Sequence, residues 1–129
     1  VDSGGLASNT DISSGGWQYV RAGGLASDTD ISSGGGQYVY NGGVASNTDI
    51  SNGGLQDVRA GGVASDTDIS SGGRQFVSSG GSAVGISQHE GGNVIVTIFG
   101  GDSSTTVMGS NASGAFSLSN GGASNSILS

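Results

Sequence analysis

Apolar and polar residues alternate along this chain in short runs, and a pair of glycines closes each run. Thr10 and Ile12 flank Asp11; Gln18 and Val20 interleave with Trp17, Tyr19 and Arg21. A period of two predicts β-strands. Glycine pairs begin at Gly4, Gly15, Gly23, Gly34, Gly42, Gly53, Gly61, Gly72, Gly80 and Gly91, spaced alternately by 11 and 8 residues. The unit is therefore 19 residues long. Copies starting at Gly4, Gly23, Gly42 and Gly61 match position for position. A fifth copy from Gly80 is degenerate and one residue longer. A sixth from Gly100 lacks its middle pair, and a seventh begins at Gly121 and breaks off at Ser129.

A 19-residue period of strands and turns predicts an all-β fold, a β-solenoid (β-helix) of about six to seven coils with Gly-Gly corners. Coils stacked ~4.8 Å apart would make a rod roughly 30 Å long. No coil buries enough to be stable alone, so stability must come from stacking. The constant columns are expected inside: Ala7/26/45/64, Thr10/29/48/67, Ile12/31/50/69 and Val20/39/58/77. The variable columns are expected outside: Trp17, Gly36, Leu55, Arg74 and, beside them, Tyr19, Tyr38, Asp57, Phe76. Leu6, Leu25, Val44 and Val63 are ambiguous and suit a corner. The glycine pairs supply positive φ at the turns. Gln18/37/56/75 are placed to form an amide ladder.

Two features strain this reading. Asp11/30/49/68 would stack like charges about 5 Å apart, which repel. Projection into solvent relieves this, as would a weak Ca²⁺ stripe with carboxylate ligands; the G-G-x-G-x-D-x-U-x calcium repeat does not match. Asn93–Phe99 is apolar on both faces, so its outer side is either covered or a sticky patch. The chain thus divides into regular repeats over 1–99 and an irregular continuation over 100–129, with Asp102–Asn120 expected as an inserted loop or irregular coil. Both ends look cut from a longer array, so a fragment of a larger domain is expected.

Composition then narrows function. The 129 residues include 28 Gly and 25 Ser, no Pro, no Cys and no Lys; ten acidic residues against Arg21, Arg59 and Arg74 give a net charge of −7. Such richness in Gly and Ser would suit a flexible linker, but a linker has no reason to keep a register. Without Cys there is no disulfide framework or thiolate metal site. No apolar run of about 18 residues predicts a transmembrane helix. An acidic chain without a basic patch is not expected to bind nucleic acid. His89 is the single His and suits a corner. No catalytic constellation emerges, and a non-enzyme is expected. Asn111-Ala112-Ser113 fits the N-glycosylation pattern, which matters only in a eukaryotic secretory setting.

The unit GGxAxxTxIxxGGxQxVxx resembles the 19-residue repeat of the AIDA-type self-associating autotransporter adhesins, the TibA-like group. Gly4-Gly5, Ala7, Thr10, Ile12, Gly15-Gly16, Gln18 and Val20 carry it, and the same positions recur three more times. The resemblance implies an exported passenger domain on the bacterial cell surface, active in host-cell adhesion, autoaggregation and biofilm formation. It also implies heptosylation of hydroxyl side chains in the cytoplasm before export. The enzyme is a heptosyltransferase, the donor is ADP-heptose, and this chain would be the acceptor; no cofactor is expected in the chain itself.

Accessibility ranks the acceptors. A sugar needs an exposed hydroxyl with open backbone around it. First come the Ser before a glycine pair: Ser3, Ser14, Ser33, Ser71 and Ser79. Second are Ser8, Ser27, Ser46 and Ser65 at the Ala-Ser-Asx-Thr bend, and third Ser13, Ser32, Ser51 and Ser70. The inward Thr column should be a poor acceptor. The alternative role for corner Ser is hydrogen bonding to turn N–H groups. Two other functions compete. An ice- or crystal-binding solenoid would use the Thr ladder, though such faces usually need two Thr per coil and here only the Thr10-type position recurs, beside Ile and Asp. A polysaccharide-processing β-helix enzyme would need one differentiated acid/base pair, and the Asp columns are undifferentiated.

Overall fold

A computed structural model describes residues 4–78, 80–98, 106–111, 114–119 and 124–128. Each coil has one long and one short strand. The long ones are β1 (Leu6–Ile12), β3 (Leu25–Ile31), β5 (Val44–Ile50), β7 (Val63–Ile69) and β9 (Ser82–Gln88). The short ones are β2 (Trp17–Val20), β4 (Gly36–Val39), β6 (Leu55–Val58), β8 (Arg74–Val77) and β10 (Asn93–Ile98). Long strands pair in parallel into one sheet and short strands into a second. Partners through the first four coils are 19 residues apart throughout: Thr10 with Thr29, Gln18 with Gln37, Ile31 with Ile50. The structure is the expected β-solenoid, with five complete coils among the described residues against the six to seven expected of the whole chain.

The difference lies after residue 100. β11 (Thr106–Asn111) still adds in parallel to β9, with a register shift between Val107 and Gly109. β12 (Gly114–Ser119) then folds back antiparallel on β11, and β13 (Ser124–Leu128) lies antiparallel on β10. The segment read as a loop or irregular coil therefore contains strands, and the apparent seventh copy joins the short-strand sheet in reverse. Antiparallel pairing needs no further coil, so it covers both sheet edges where the repeat has lost its register.

The inward columns are as expected. Ala26/45/64, Thr29/48/67, Ile31/50/69 and Val20/39/58/77 are buried. Leu6 and Leu25 are exposed, and Val44 and Val63 half-buried, at the outward start of the long strands. The amide ladder is present. Gln37 Nε2 donates to Gln18 Oε1 at 2.6 Å, Gln56 Nε2 to Gln37 Oε1 at 2.7 Å, and Gln75 Nε2 to Gln56 Oε1 at 2.6 Å. Each buried amide thus finds its partner one coil away. Val94 takes the next place in the column, and Gln75 Oε1 is left without a hydrogen-bond partner among the described residues.

Each glycine of a pair has its own physical reason. The first takes positive φ: Gly15 at 82°, Gly34 at 82°, Gly53 at 88°. The second packs its α-carbon on the previous coil. A Cβ on Gly73 would lie 2.5 Å from Ile50 O, and one on Gly43 2.5 Å from Val20 O. Conformational freedom alone, the sequence-based explanation, thus accounts for only half of each pair.

Candidate functional site

Ser14 and its equivalents sit at the tip of the corner between long and short strands. Gly16 N donates to Ser13 O at 2.9 Å, with φ of 51° at Ser14 and 82° at Gly15. Two successive positive φ values define a type I′ turn. Ser33 repeats this at 49°, and Asn52-Gly53 supplies the favoured Asn-Gly pair in the third coil. At the fourth corner only Gly72 takes positive φ, at 81°, and Gly73 N donates to Ser70 O at 2.8 Å, so Ser71 sits at the tip of a turn of a different type. A side chain at either kind of tip is held away from the sheet. Ser14, Ser33 and Ser71 are all exposed. Ser3 and Ser79 lie outside the described residues. Of the second set, Ser8 is exposed while Ser27, Ser46 and Ser65 are half-buried. Of the third, Ser13 is exposed and Ser32, Ser51 and Ser70 half-buried. His89 continues that third column and opens a corner, its carbonyl accepting from Gly92 N at 3.0 Å.

The long strand is kinked at the Asx position. Asn9, Asp28, Asn47 and Asp66 have φ of 53–55°, and Gly85 takes the same place at 71°. Asn, Asp and Gly are the residues that enter the left-handed region most readily. The extra residue lets Ala26 and Thr29, three apart, both point inward. Outside, the kink opens a trough of about 600 Å³ lined by the Asx column and by Asp11, Asp30, Asp49 and Asp68. Among the described residues no three His, Cys, Asp or Glu side chains are grouped to hold a metal ion.

The stacked carboxylates press on one another. Partial burial, then the charges of Asp68 and Asp30 on either side, push the Asp49 carboxyl above its ordinary value. A raised carboxyl pKa means that the ionised form disfavours the fold. That penalty is present above the folded pKa and relieved as pH falls below the unfolded one. Asp49→Asn is therefore expected to raise the thermal midpoint at pH 7 and to leave it unchanged at pH 3. An equal gain at both pH values in a melting series would contradict this. Added salt should shrink the gain.

The opposite face has a different chemistry. Trp17 lies over Gly36 of the next coil, where any Cβ would collide with the indole ring. It stacks on Tyr38 at 5.0 Å and 4°. Tyr19 stacks on Tyr38 at 5.4 Å and on Tyr40 at 6.1 Å. Arg21 and Arg59 lie over the Tyr40 ring at 5.4 and 5.7 Å. The outward Trp17, Tyr19 and Tyr38 expected from the sequence join Tyr40 in one ridge, with Tyr38 and Tyr40 half-buried in it. The sequence shows three scattered cations, but the 19-residue period brings Arg21 and Arg59 into one column. Gly36→Ala is expected to lift the indole off the face, shifting Trp17 fluorescence to the red. An unchanged spectrum would contradict the stacking.

A parallel β-solenoid with surface hydroxyls recurring at its corners is the architecture of an extended stalk. Comparison with known families agrees. Residues 3–54 and 36–92 match the family described as "adhesin of bacterial autotransporter system, probable stalk". The chain belongs to this family. Among solved structures it is similar to a hyper-glycosylated fragment of TibA whose glycosylation is catalysed by TibC. The two are 39% identical over 83% of this chain, with a TM-score of 0.69. The chain spans 41% of that fragment. No curated protein matches it.

Proposed function

We propose that this chain is a segment of a passenger stalk displayed outside the outer membrane, and that its corner serines accept heptose from ADP-heptose. The observation that carries the reading is the recurrence of an exposed Ser at the tip of a glycine turn: Ser14, Ser33 and Ser71. The similarity to a glycosylated TibA fragment supports it. A cytoplasmic heptosyltransferase would modify the chain before export. The stalk then acts without catalysis, holding adhesive surface away from the cell and associating with other stalks and with host cells. Inward placement of Thr29, Thr48 and Thr67 leaves an ice- or crystal-binding face without its hydroxyls.

The test is the intact mass of the chain after co-expression with an autotransporter heptosyltransferase and after expression without it. Increments of whole heptose residues only in the co-expressed sample are the expected result. Identical masses would overturn the acceptor reading.

A further inference from the structure

We infer that the aromatic-arginine ridge of one copy docks into the acidic trough of a second copy. The inference rests on the proposed self-association and specifies its surfaces.

Charge is sharply divided between the two sheets. Arg21, Arg59 and Arg74, all the cations of the chain, project from the short-strand side. Six of the ten acidic residues line the trough on the long-strand side. The Arg59 guanidinium already contacts Asp57, at 3.3 Å, but Asp57 is mostly buried and Arg59 about half exposed. The ridge thus offers positive charge and flat rings, while the trough offers carboxylates crowded against one another. Guanidinium groups bind carboxylates through paired hydrogen bonds. Exposed aromatic and Arg side chains are also the types enriched in protein interfaces.

The periods match as well. Arg21 and Arg59 occupy one column two coils apart, with Tyr40 between them. In the trough, the Asx column is charged only at Asp28 and Asp66, also two coils apart. Both pairs are separated by ~10 Å along the rod, two strand spacings. Two rods in register therefore bring both arginines to both carboxylates at once. Whole molecules of net charge −7 repel, but with a Debye length of about 8 Å at physiological salt the local contact decides. Ridge and trough lie on opposite sides of the coil, so every copy can use both, and the contact is heterologous and open-ended.

Three proteins test this by sedimentation velocity at 0.15 M NaCl: the parent chain, Arg21→Gln/Arg59→Gln and Asp28→Asn/Asp66→Asn. The second variant is safe for folding, because Asn9 and Asn47 already hold the same backbone conformation. Expected is open-ended association of the parent, at least tenfold weaker association of each variant alone, and 1:1 complexes in their mixture. Loss of the parent's association at 1 M NaCl is also expected. Association of the parent that both variants retain would overturn the docking mode and leave self-association standing. A parent that stays monomeric at all concentrations would overturn both. Retention on an immobilised sulfated polysaccharide, abolished in Arg21→Gln/Arg59→Gln while self-association is unchanged, would assign the ridge to a host glycan and overturn the inference.

Discussion

Gln56→Glu is expected to lose most of its stability at pH 7 and to regain it in acid. Gln56 is fully buried in mid-ladder. Its Nε2 donates to Gln37 Oε1 and, at 3.3 Å, to Thr48 Oγ1, while its Oε1 accepts from Gln75 Nε2. A protonated Glu has one donor and one acceptor, so it keeps both ladder bonds. An ionised Glu only accepts, and it turns a carboxylate on the Gln37 oxygen in a site shielded from water. Breaking a buried polar network with an uncompensated charge costs about 3–5 kcal/mol, against a typical domain stability of about 5–15 kcal/mol. The folded-state pKa of this Glu lies above its unfolded value. Its stability is therefore intact below the unfolded pKa and lost as pH rises through the folded one. Urea midpoints at pH 4 and pH 7, each relative to the parent chain, measure this. An equal deficit at both pH values would mean that the ladder does not need a donor at this position.

Gly73→Ala is expected to destabilise the protein more than Gly53→Ala. Both remove a corner glycine. Gly53 has φ of 88° and room around it, since the nearest atom to an added Cβ is Gly34 N at 3.5 Å. Its substitution therefore costs the left-handed penalty, about 1–2 kcal/mol. At Gly73 the added Cβ meets backbone, Ile50 O at 2.5 Å and Ile50 C at 2.8 Å. Backbone held in a parallel ladder has little freedom to move away. The cost is expected at or above the ~3 kcal/mol upper end of ordinary overpacking. Urea midpoints rank the two variants. Gly53→Ala as the worse of the two would contradict the separate roles assigned to the glycines.

Most of the coil was legible because the repeat is its own comparison. Four aligned copies separate columns that never change, such as Ile12/31/50/69, from columns that change freely, such as Trp17, Gly36, Leu55, Arg74. In a stacked rod that distinction is inside against outside. The Asx position was visible as a bend, and Gly85 in the fifth copy follows from its positive φ. Less legible was whatever depends on which outward groups touch. The ridge requires knowing that Trp17 lies along the sheet to cover Gly36, and that Arg21 and Arg59 share Tyr40. The end of the array was also obscured. GGASNSILS repeats the opening of a coil, yet Ser124–Leu128 pairs in reverse with β10. Local sequence can report strand propensity there, but pairing direction depends on which edge remains open.

Glycine pairs and serines fall at the same corners, and the central claim is that those corners present the acceptor hydroxyls. Peptide mass mapping of the chain co-expressed with a heptosyltransferase tests it most directly. Heptose on Ser14, Ser33 and Ser71, ahead of the half-buried Ser27, Ser46 and Ser65, is the predicted result. Modification confined to Thr10, Thr29, Thr48 and Thr67 would contradict the account.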